Sequence, residues 1–355
     1  MISRLLKPLA VVGGVALDIT GTIQASGSRS RSVLHTSTPG KVKQSLGGVG
    51  RNVCEASMRT GVPSFMVSMT GQDLAGATIR EGMHLLGMDT QYISTSSTSS
   101  TAVYNALHTG DGQLVAAVAD MDIFDSLESS TVRASLEEIQ PGLVCMDGNI
   151  SSDLMRTIAL YCKQSSTPVF FEPTSVPKSL KVFEHEDVLS SGVVNYVSPN
   201  QYELEAMVET ARRQRPAVNH SKINIGNIVT ATMTTPDIVE KVLPMAHYLS
   251  QFVPNIVTKL GEYGCLLVSN NKSHVHTQYF PPEIIDPTAI KSVTGAGDCF
   301  VGTLLANLLI LDKPSPTRWA EMIQQSQKSS ILTLQSDLAV SVAISQELLV
   351  KTTLS

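Results

Sequence analysis

Short apolar segments alternate with amphipathic ones along most of the chain, and this alternation constrains the fold more than any other feature of the sequence. Extended runs such as "GLVCMD", "TPVFFEP" and "PNIVTKL" are separated by segments with helical spacing, such as "SSDLMRTIALYCKQ". Repeated strand–helix units predict a mostly parallel sheet that is covered by helices on both faces. We therefore predict an α/β fold, with residues 1–355 forming one domain.

The first quarter of the chain gives the most specific local predictions. The run "LAVVGGVALDI" predicts one opening strand, and the helix over "GRNVCEASMRTG" is expected to end at Gly61. The next helix carries apolar residues at near-helical spacing, which predicts one buried face before the helix ends at Gly87. These apolar residues are Leu74, Ile79, Met83 and Leu86.

One hairpin interrupts the series of strand–helix units. The stretch "TAVYNALHTGDGQLVAAVAD" has two extended runs around a Gly-Asp-Gly turn, which predicts an antiparallel hairpin. We expect this hairpin to stand off the main sheet as a lid, with lid strands at about 14–47 and 99–120. The polar stretch near 213–236 predicts a surface insertion.

Composition argues against several classes of function. The chain has 42% apolar and 16% charged residues, which is typical of a globular protein. Its formal charge of −5 argues against a partner nucleic acid or an anionic membrane surface. The first apolar run is short and broken by glycines, so it predicts a strand rather than a signal peptide or a membrane span. The segment before it leaves little room for a mitochondrial presequence.

The cysteines and histidines do not predict a disulfide or a metal site. No two of the five cysteines form a Cys-x-x-Cys pair, which predicts reduced, buried thiols in a cytoplasmic protein. The eight histidines are scattered along the chain. Cys299 lies next to Asp298, but no histidine in the adjoining segment can activate it, so we assign Cys299 to packing.

Three polar clusters each follow a predicted strand. The first joins Asp18 to "GGVGRN", the second is "SPNQYE", and the third joins "TKLGEYG" to "SVTGAGD". Ligands of open α/β sheets bind beyond the carboxyl ends of strands, so each cluster lies where a ligand can bind. The usual nucleotide-binding motifs are absent: "HTSTPGKVK" lacks the first glycine and the hydroxyl residue of a P-loop, and "GGVGRN" is not Gly-x-Gly-x-x-Gly.

The third cluster suggests phosphoryl transfer. Backbone N–H groups of Gly295, Ala296 and Gly297 at a helix N-terminus would form an anion hole, and their small size lets a phosphate approach closely. Asp298 beside that hole is a candidate general base for an alcohol that attacks the phosphoryl group. The alternative, in which Asp298 only caps the helix, does not explain the three small residues before it.

At these residues the sequence resembles the PfkB/ribokinase family of sugar and nucleoside kinases, over roughly residues 10 to 340. "SVTGAGD" resembles the C-terminal signature of the family, and Gly47, Gly48 and Asn52 match its N-terminal Gly-Gly motif. The pair Asn200 and Glu203 matches the Asn-x-x-Glu motif. "KLGEYG" resembles the ATP loop, with Lys259 in place of threonine. The resemblance implies a ribokinase-like three-layer α/β/α sandwich with a small β-sheet lid.

Within the family the sequence is most similar to pseudouridine kinases. "PGKVK", "GGVGRN" and "VAAVADMDIF" have the form found there, whereas ribokinases carry a lysine where Val49 stands and a glutamate at the position of Asn149. The implied reaction is transfer of phosphate from ATP to the 5′-hydroxyl of pseudouridine, with Mg²⁺ as cofactor. Ser292 replaces an aspartate that helps to hold a monovalent cation in many relatives, which weakens the expectation of potassium activation.

The resemblance also implies site residues and partners. Expected nucleoside ligands are Asp18, Gly47, Gly48, Arg51, Asn52, Asn149, Lys43 and Asp120. Expected ATP ligands are Asn200, Lys259, Gly261, Gly264 and Thr294, with Glu203 contacting Mg²⁺ through water. Relatives form dimers through their lids, and some are fused to a pseudouridine-5′-phosphate glycosidase, which implies a homodimer and a link to such an enzyme.

Other interpretations stay open from the sequence. Within enzymes, the alternative is a kinase for ribose or for another nucleoside; outside them, it is a catalytically inactive nucleoside-binding module on the same fold. Single residues have structural alternatives too. Arg51 is equally well interpreted as a solvated helix residue, Lys43 and Asp120 as polar surface, Lys259 as a structural residue, and Asn149 as a partner of buried backbone.

Overall fold

The described part of the molecule contains two separate sheets and ten α-helices. The computed structural model describes residues 6–23, 37–214, 235–271, 274–311 and 314–351. The strands are β1 (Leu9–Val12), β2 (Ala16–Ile23), β3 (Gly40–Gly47), β4 (Ser64–Gly71), β5 (Ile93–Ser96), β6 (Val103–His108), β7 (Leu114–Asp120), β8 (Leu143–Asp147), β9 (Val169–Glu172), β10 (Val194–Val197), β11 (Asn255–Lys259), β12 (Cys265–Asn270) and β13 (Val275–Phe280). The helices are α1 (Val49–Thr60), α2 (Leu74–Leu85), α3 (Ser129–Ile139), α4 (Ser152–Ser165), α5 (Val176–Ser179), α6 (Glu186–Ser190), α7 (Gln201–Gln214), α8 (Asp237–Leu249), α9 (Ala296–Ile310) and α10 (Pro316–Leu334).

The larger sheet has nine strands in the order β13-β12-β11-β10-β9-β8-β1-β4-β5. Neighbours from β11 to β5 pair in parallel, whereas β12 and β13 are antiparallel at one edge. Ala10 and Val12 of β1 pack with α3, α4, α7 and α8, while Leu9 and Val11 pack with α1, α2, α9 and α10. Because strand side chains alternate between the faces, this arrangement makes three layers. It confirms the predicted α/β/α sandwich.

The opening strand is shorter than the sequence predicts. The run "LAVVGGVALDI" is split at Gly13 and Gly14, and only β1 belongs to the nine-stranded sheet, whereas β2 belongs to the other. A Cβ atom on Gly13 would lie 2.4 Å from Cγ of Asp147, so only glycine lets the chain pass this carboxylate. The prediction of one strand was wrong because the apolar pattern continues across the break.

The smaller sheet contains the predicted hairpin. Strands β6 and β7 pair in antiparallel fashion, and the sheet order is β3-β2-β6-β7, with β2 and β6 parallel. We call these four strands the lid sheet. Every residue of β7 is exposed, in contrast with the buried strands of the larger sheet. The hairpin and the separate small sheet are therefore confirmed, while its movement as a lid stays a prediction.

Several local predictions can also be compared with the structure. Gly61, in the left-handed region at φ 109°, ends α1 as predicted. Ile79 and Met83 are buried, but Leu74 is 89% exposed, because it is the first residue of α2 and follows the Asp73 cap. All five cysteines are buried and free. Most of the polar stretch near 213–236 lies outside the described residues, and so do residues 1–5.

A search of the described residues for a helix that is long and apolar enough to cross a membrane found none.

Candidate active site

The three polar clusters meet at the carboxyl end of the parallel strands. Asn52 Nδ2 donates a 2.6 Å hydrogen bond to Asp298 Oδ2, which joins the first cluster to the third. The backbone N–H of Lys259 donates to the carbonyl of Pro199 at 2.9 Å, which joins the third cluster to the second. Residues separated by more than 200 positions thus form one site, because parallel strands end at the same edge of the sheet.

The start of α9 is shaped to accept an anion. Gly295 precedes the helix with φ 78°, and a Cβ atom there would lie 1.9 Å from the carbonyl oxygen of Ala339. A Cβ atom on Gly297 would meet only the side chain of Lys259, at 4.0 Å, so the space in front of it is open. The backbone N–H of Ala296, which was predicted to belong to the anion hole, donates to the carbonyl of Val293 at 3.5 Å, whereas the N–H groups of Gly297 and Asp298 have no acceptor among the residues that the structure describes. Free N–H groups and the helix dipole together favour a negative charge there.

Asp298 is a carboxylate with opposing influences on its pKa. Burial raises the pKa above its usual value, and the charge of Asp147 acts in the same direction. The hydrogen bond from Asn52 and the positive charges of Lys259 and Arg51 lower it. A carboxylate in this environment is desolvated yet held by donors, which suits a general base better than a solvated surface residue.

Asp18 lies at the junction with the lid sheet. Burial raises its pKa to about 6, while the positive charge of Arg51 opposes the shift and the charge of Asp298 adds to it. A Cβ atom on Gly47 would lie 2.2 Å from Asp18 Oδ2, so this carboxylate fits only because residue 47 is glycine. Gly48 follows as the N-cap of α1. The first cluster therefore places a carboxylate directly over the Gly-Gly motif.

Asp147 organises the part of the site around the start of α1, and its role was not predicted from the sequence. Its Oδ2 accepts hydrogen bonds from the backbone N–H groups of Gly14 and Gly50 at 2.9 and 2.8 Å, and its side chain is fully buried. Asn149 Nδ2 donates to the same oxygen at 2.9 Å, and Asn149 Oδ1 accepts from Lys178 Nζ at 2.6 Å. Asn149 thus links a buried carboxylate to Lys178, a second residue that the sequence did not single out.

Lys259, which is partly buried, forms an ion pair with the buried Glu172, and this pair also was not predicted. Its Nζ lies 2.7 Å from Glu172 Oε1, at the end of β9. Burial raises the pKa of Glu172 to about 8, although the charge of Lys259 opposes the shift, and Glu172 Oε2 is buried without a partner in the described part of the chain. Burial lowers the pKa of Lys259, but the charges of Glu172 and Glu203 outweigh it and raise the pKa. Lys259 is therefore a fixed cation in front of Gly297.

Asn200 and Glu203 form the reciprocal hydrogen bonds of a capping box. Asn200 Oδ1 accepts from the N–H groups of Tyr202 and Glu203, and Glu203 Oε2 accepts from the N–H of Asn200 at 2.8 Å. Glu203 is buried, and its charge raises the pKa of both Glu172 and Lys259, which places the three groups together. Carboxylate oxygens are the donors that Mg²⁺ prefers. Glu203 and the unpartnered Glu172 Oε2 therefore fit a magnesium ion held largely through water.

The remaining predicted residues lie in different surroundings. Arg51 is 3% exposed and donates to protein groups, so the alternative of a solvated helix residue is wrong. Lys43 and Asp120 lie in exposed parts of the lid sheet, where Lys43 Nζ donates to the carbonyl of Asp337 at 2.6 Å. Gly261 and Gly264 bracket a short turn after β11, and Thr294 is exposed just before Gly295. No contact of Asp120 with the other predicted site residues is seen among the described residues.

Comparisons with known proteins give related results. A family model described as pfkB family carbohydrate kinase matches residues 9–343. A pseudouridine-metabolizing bifunctional protein of Schizosaccharomyces pombe is 30% identical over 369 residues, and the match covers 95% of this chain and 47% of that protein. A pseudouridine kinase of Arabidopsis thaliana is 26% identical, with 84% of each chain covered. The chain spans about half the length of the yeast relative.

Solved structures share the fold. A carbohydrate kinase from Agrobacterium tumefaciens has a TM-score of 0.69 at 22% identity, covering 96% of this chain and 95% of that one. A ribokinase from Cryptococcus neoformans, solved in complex with ADP, has a TM-score of 0.69 at 18% identity, covering 96% and 98%. At these identities the similarity concerns the fold alone.

Proposed function

Because the chain belongs to the pfkB family of carbohydrate kinases, we propose that it transfers the γ-phosphoryl group of ATP to the 5′-hydroxyl of pseudouridine. Kinase chemistry of the pfkB type follows from the family. The choice of pseudouridine is supported by relatives named for pseudouridine metabolism, at 26–30% identity. The observation that carries the catalytic part is the hydrogen bond from Asn52 to Asp298 beside the free N–H groups of α9.

Asp298 acts as the general base in the proposed reaction. The 5′-hydroxyl proton passes to the Asp298 carboxylate as the oxygen attacks the γ-phosphorus atom, the bond from that atom to the bridging oxygen breaks, and ADP leaves. Asn52 holds the carboxylate through its 2.6 Å hydrogen bond, so little reorganisation is needed at the moment of transfer. Burial raises the pKa of Asp298 and strengthens it as a base, while Lys259 and Arg51 oppose protonation.

The start of α9 and Lys259 would contact the phosphoryl group while it is transferred. The N–H groups at the helix start and the Lys259 ammonium, which lies within reach of Gly297, stabilise negative charge on the phosphoryl oxygens. Glu172 prevents Lys259 from turning away from this position through their 2.7 Å ion pair. Gly261, Gly264 and Thr294 would contact the rest of the nucleotide at the neighbouring turn and loop.

Magnesium, when bound, would neutralise part of the negative charge on the phosphates. Glu203 and Glu172 would hold it largely through water, because one oxygen of each is already used by a helix cap or by Lys259. Ser292 carries no charge, so potassium activation is not part of the proposal.

The nucleoside would bind between the lid sheet and the end of β8. Asp18 accepts hydrogen bonds from ribose hydroxyls, and the Gly47–Gly48 backbone lies against the sugar. Asn149 and Lys178 form the polar wall beyond them, joined by their 2.6 Å hydrogen bond. Ribokinases carry a glutamate at the position of Asn149. The uncharged side chain of Asn149 favours an uncharged nucleobase beside it, and therefore a nucleoside rather than ribose alone as the substrate.

A coupled assay of ADP release tests the substrate. Purified protein is given ATP, Mg²⁺ and, in separate reactions, pseudouridine, uridine, adenosine or ribose. The proposal predicts the highest kcat/KM for pseudouridine. A higher value for ribose or another nucleoside would replace the substrate, and no release with any acceptor would favour an inactive nucleoside-binding module.

We also propose a homodimer in the cytoplasm, joined through the lid sheet. Apolar residues of β6 and β7 are exposed, and a small sheet with exposed apolar residues is stabilised by a partner surface. These residues are Leu107, Leu114, Val115 and Val118. The bifunctional yeast relative supports a functional link to a pseudouridine-5′-phosphate glycosidase. Sedimentation analysis checks the dimer, and a single monomeric species at micromolar concentration would exclude it.

A further inference from the structure

Arg51 is a buried arginine at the joint between the lid sheet and the core. It lies in the first turn of α1, four residues after the end of β3, and only 3% of its surface is exposed. Its Nε donates to the carbonyl of Gly47 at 3.4 Å, and its Nη2 donates to the carbonyl of Leu46. These carbonyls belong to the last two residues of β3. The guanidinium of Arg51 therefore holds the end of β3, which is one of the four strands of the lid sheet.

The same guanidinium contacts the residue that holds the proposed base. Arg51 Nη2 donates to Asn52 Oδ1, and Asn52 Nδ2 donates to Asp298 Oδ2 at 2.6 Å. An amide group has one acceptor end and one donor end. Because Arg51 takes the acceptor end, the donor end of Asn52 must face the carboxylate. Hydrogen bonds thus run without a break from the end of β3 through Arg51 and Asn52 to Asp298.

The positive charge of Arg51 is paired with Glu55, and Glu55 has a second cationic partner, so Arg51 can be replaced without leaving Glu55 unpaired. Glu55 is buried and accepts from Arg51 through Oε2 and from Arg59 through Oε1, the latter at 2.8 Å. Loss of either arginine therefore leaves Glu55 with one cationic partner, which avoids the large penalty of an unpaired buried charge. Among the described residues, Arg59 shares this partner but has no hydrogen bond to β3 or to Asn52.

We propose that Arg51 is a positioning residue that couples the lid sheet to the catalytic base. It holds Asn52 in the orientation that presents a donor to Asp298, and it does so through a guanidinium that is itself fixed by the last carbonyls of β3. Displacement of β3 then loosens Asn52 and the carboxylate together. The inference rests on the proposed function, because it takes Asp298 to be the base of a kinase reaction. In it Arg51 acts through Asn52 and does not itself bind the substrate.

The first test compares Arg51→Gln with the matched control Arg59→Gln. We expect Arg51→Gln to lower kcat about 10- to 100-fold with a change in the KM for ATP below about threefold, because the ATP ligands are untouched. Arg59→Gln is expected to keep kcat within about twofold. Equal losses in both variants would overturn the proposal, since they would point to helix stability rather than to coupling.

The second test is a double-mutant cycle with Asn52→Ala. If Arg51 acts through Asn52, then adding Arg51→Gln to Asn52→Ala lowers kcat by less than about threefold further. A full additional loss would mean that Arg51 acts by another route and would contradict the proposal. If Arg51→Gln does not fold, Arg51→Lys takes its place, because it keeps the charge next to Glu55 but cannot span β3 and Asn52 with a single ammonium.

Hydrogen exchange separates failure of this inference from failure of the proposed function. The amides of residues 42–47 are expected to exchange faster in Arg51→Gln than in the wild type or in Arg59→Gln, with or without turnover. If the wild type has no kinase activity but the 42–47 amides still exchange faster in Arg51→Gln, the proposed kinase function is refuted. The catalytic half of the inference is then refuted with it. Active protein whose 42–47 amides exchange equally in all three would refute the coupling alone.

Discussion

The two sheets of the molecule hold their polar groups in different ways. In the nine-stranded sheet, Asp147 and Glu172 end buried strands and are fixed by backbone donors or by Lys259. The lid sheet exposes the whole of β7, and among the described residues its polar ties to the core include Lys43 to Asp337 and Arg51 to Leu46. The difference suggests a division of work. Phosphoryl transfer needs groups fixed in place, whereas a cover over the nucleoside must be able to open.

The largest expected effect lies on the core side of this comparison. Asp298→Asn is expected to lower kcat by about 10²–10⁴, because it removes a positioned general base, while the Kd for pseudouridine changes little. Single-turnover kinetics and calorimetric titration of the same variant measure the two quantities. Near-normal turnover would remove Asp298 from the mechanism.

A pair of lysine variants compares the two sheets directly. Lys259→Met is expected to lower kcat about 10²-fold, because the phosphoryl oxygens lose a fixed cation. Lys43→Met, in the exposed lid strand β3, is expected to leave kcat within about threefold and to raise mainly the KM for the nucleoside. Steady-state kinetics on both variants measure kcat and KM. A larger loss of kcat in Lys43→Met than in Lys259→Met would contradict the assignment of phosphoryl-group stabilisation to Lys259.

If Asp18 binds the nucleoside as proposed, its raised pKa is expected to set an acid limit on nucleoside use. Below about pH 6 this carboxyl group is protonated, so it loses the negative charge that strengthens its hydrogen bonds from the ribose hydroxyls, and kcat/KM for pseudouridine is expected to fall by up to about tenfold per pH unit. Arg51 and Asp298 are the charged groups that act on this pKa. Asp18→Asn is expected to lower kcat/KM at neutral pH and to flatten this part of the profile. If Asp18→Asn leaves the pH profile of kcat/KM unchanged, another group causes the fall at low pH.

Glu203 is expected to act through magnesium. In Glu203→Gln the Mg²⁺ concentration for half-maximal rate is expected to rise about tenfold, because the side chain that orients bound water loses its charge. The helix cap at Asn200 survives in this variant, since glutamine still accepts from the backbone N–H. A magnesium titration that matches the wild type would make Glu203 a capping residue only.

The smallest effect concerns closure of the lid sheet. Saturating pseudouridine is expected to protect the amides of residues 101–119 from hydrogen exchange more than those at the start of α9, because the proposed closure would move the hairpin but not the helix. Mass spectrometry of exchange with and without nucleoside measures this. Equal exchange in the hairpin under both conditions would show that the lid sheet does not close.

The fold could be predicted from the sequence because each strand, helix and turn is marked by residues that are close together in the chain. Alternating apolar segments identified the strands and helices, and the Gly-Asp-Gly turn identified the hairpin of β6 and β7. The split of the opening strand was missed because only Gly13 and Gly14 mark it, while the apolar pattern continues on both sides of them. What forces the break is Asp147, more than 130 positions away, and no local pattern reports such a neighbour.

The candidate site was predicted in part for the same reason. Asp298 and the small residues before it are adjacent in sequence, so their chemistry could be inferred together. Glu172 and Asp147 stand at the ends of apolar runs and were passed over, although a carboxylate ending a buried strand is itself a signal of a site. Helical position also could not say whether Arg51 faces solvent, because that depends on what packs against α1.

The ³¹P NMR spectrum of the reaction product tests the central claim most directly. The protein is incubated with ATP, Mg²⁺ and pseudouridine, and the new phosphate ester is observed without proton decoupling. A phosphate on the 5′-oxygen couples to two methylene protons and gives a triplet, which is the predicted result, and Asp298→Asn is expected to give no such signal over the same time. A doublet, which marks a phosphate on a secondary hydroxyl, or no new ester from the wild type would contradict transfer to the 5′-hydroxyl of pseudouridine.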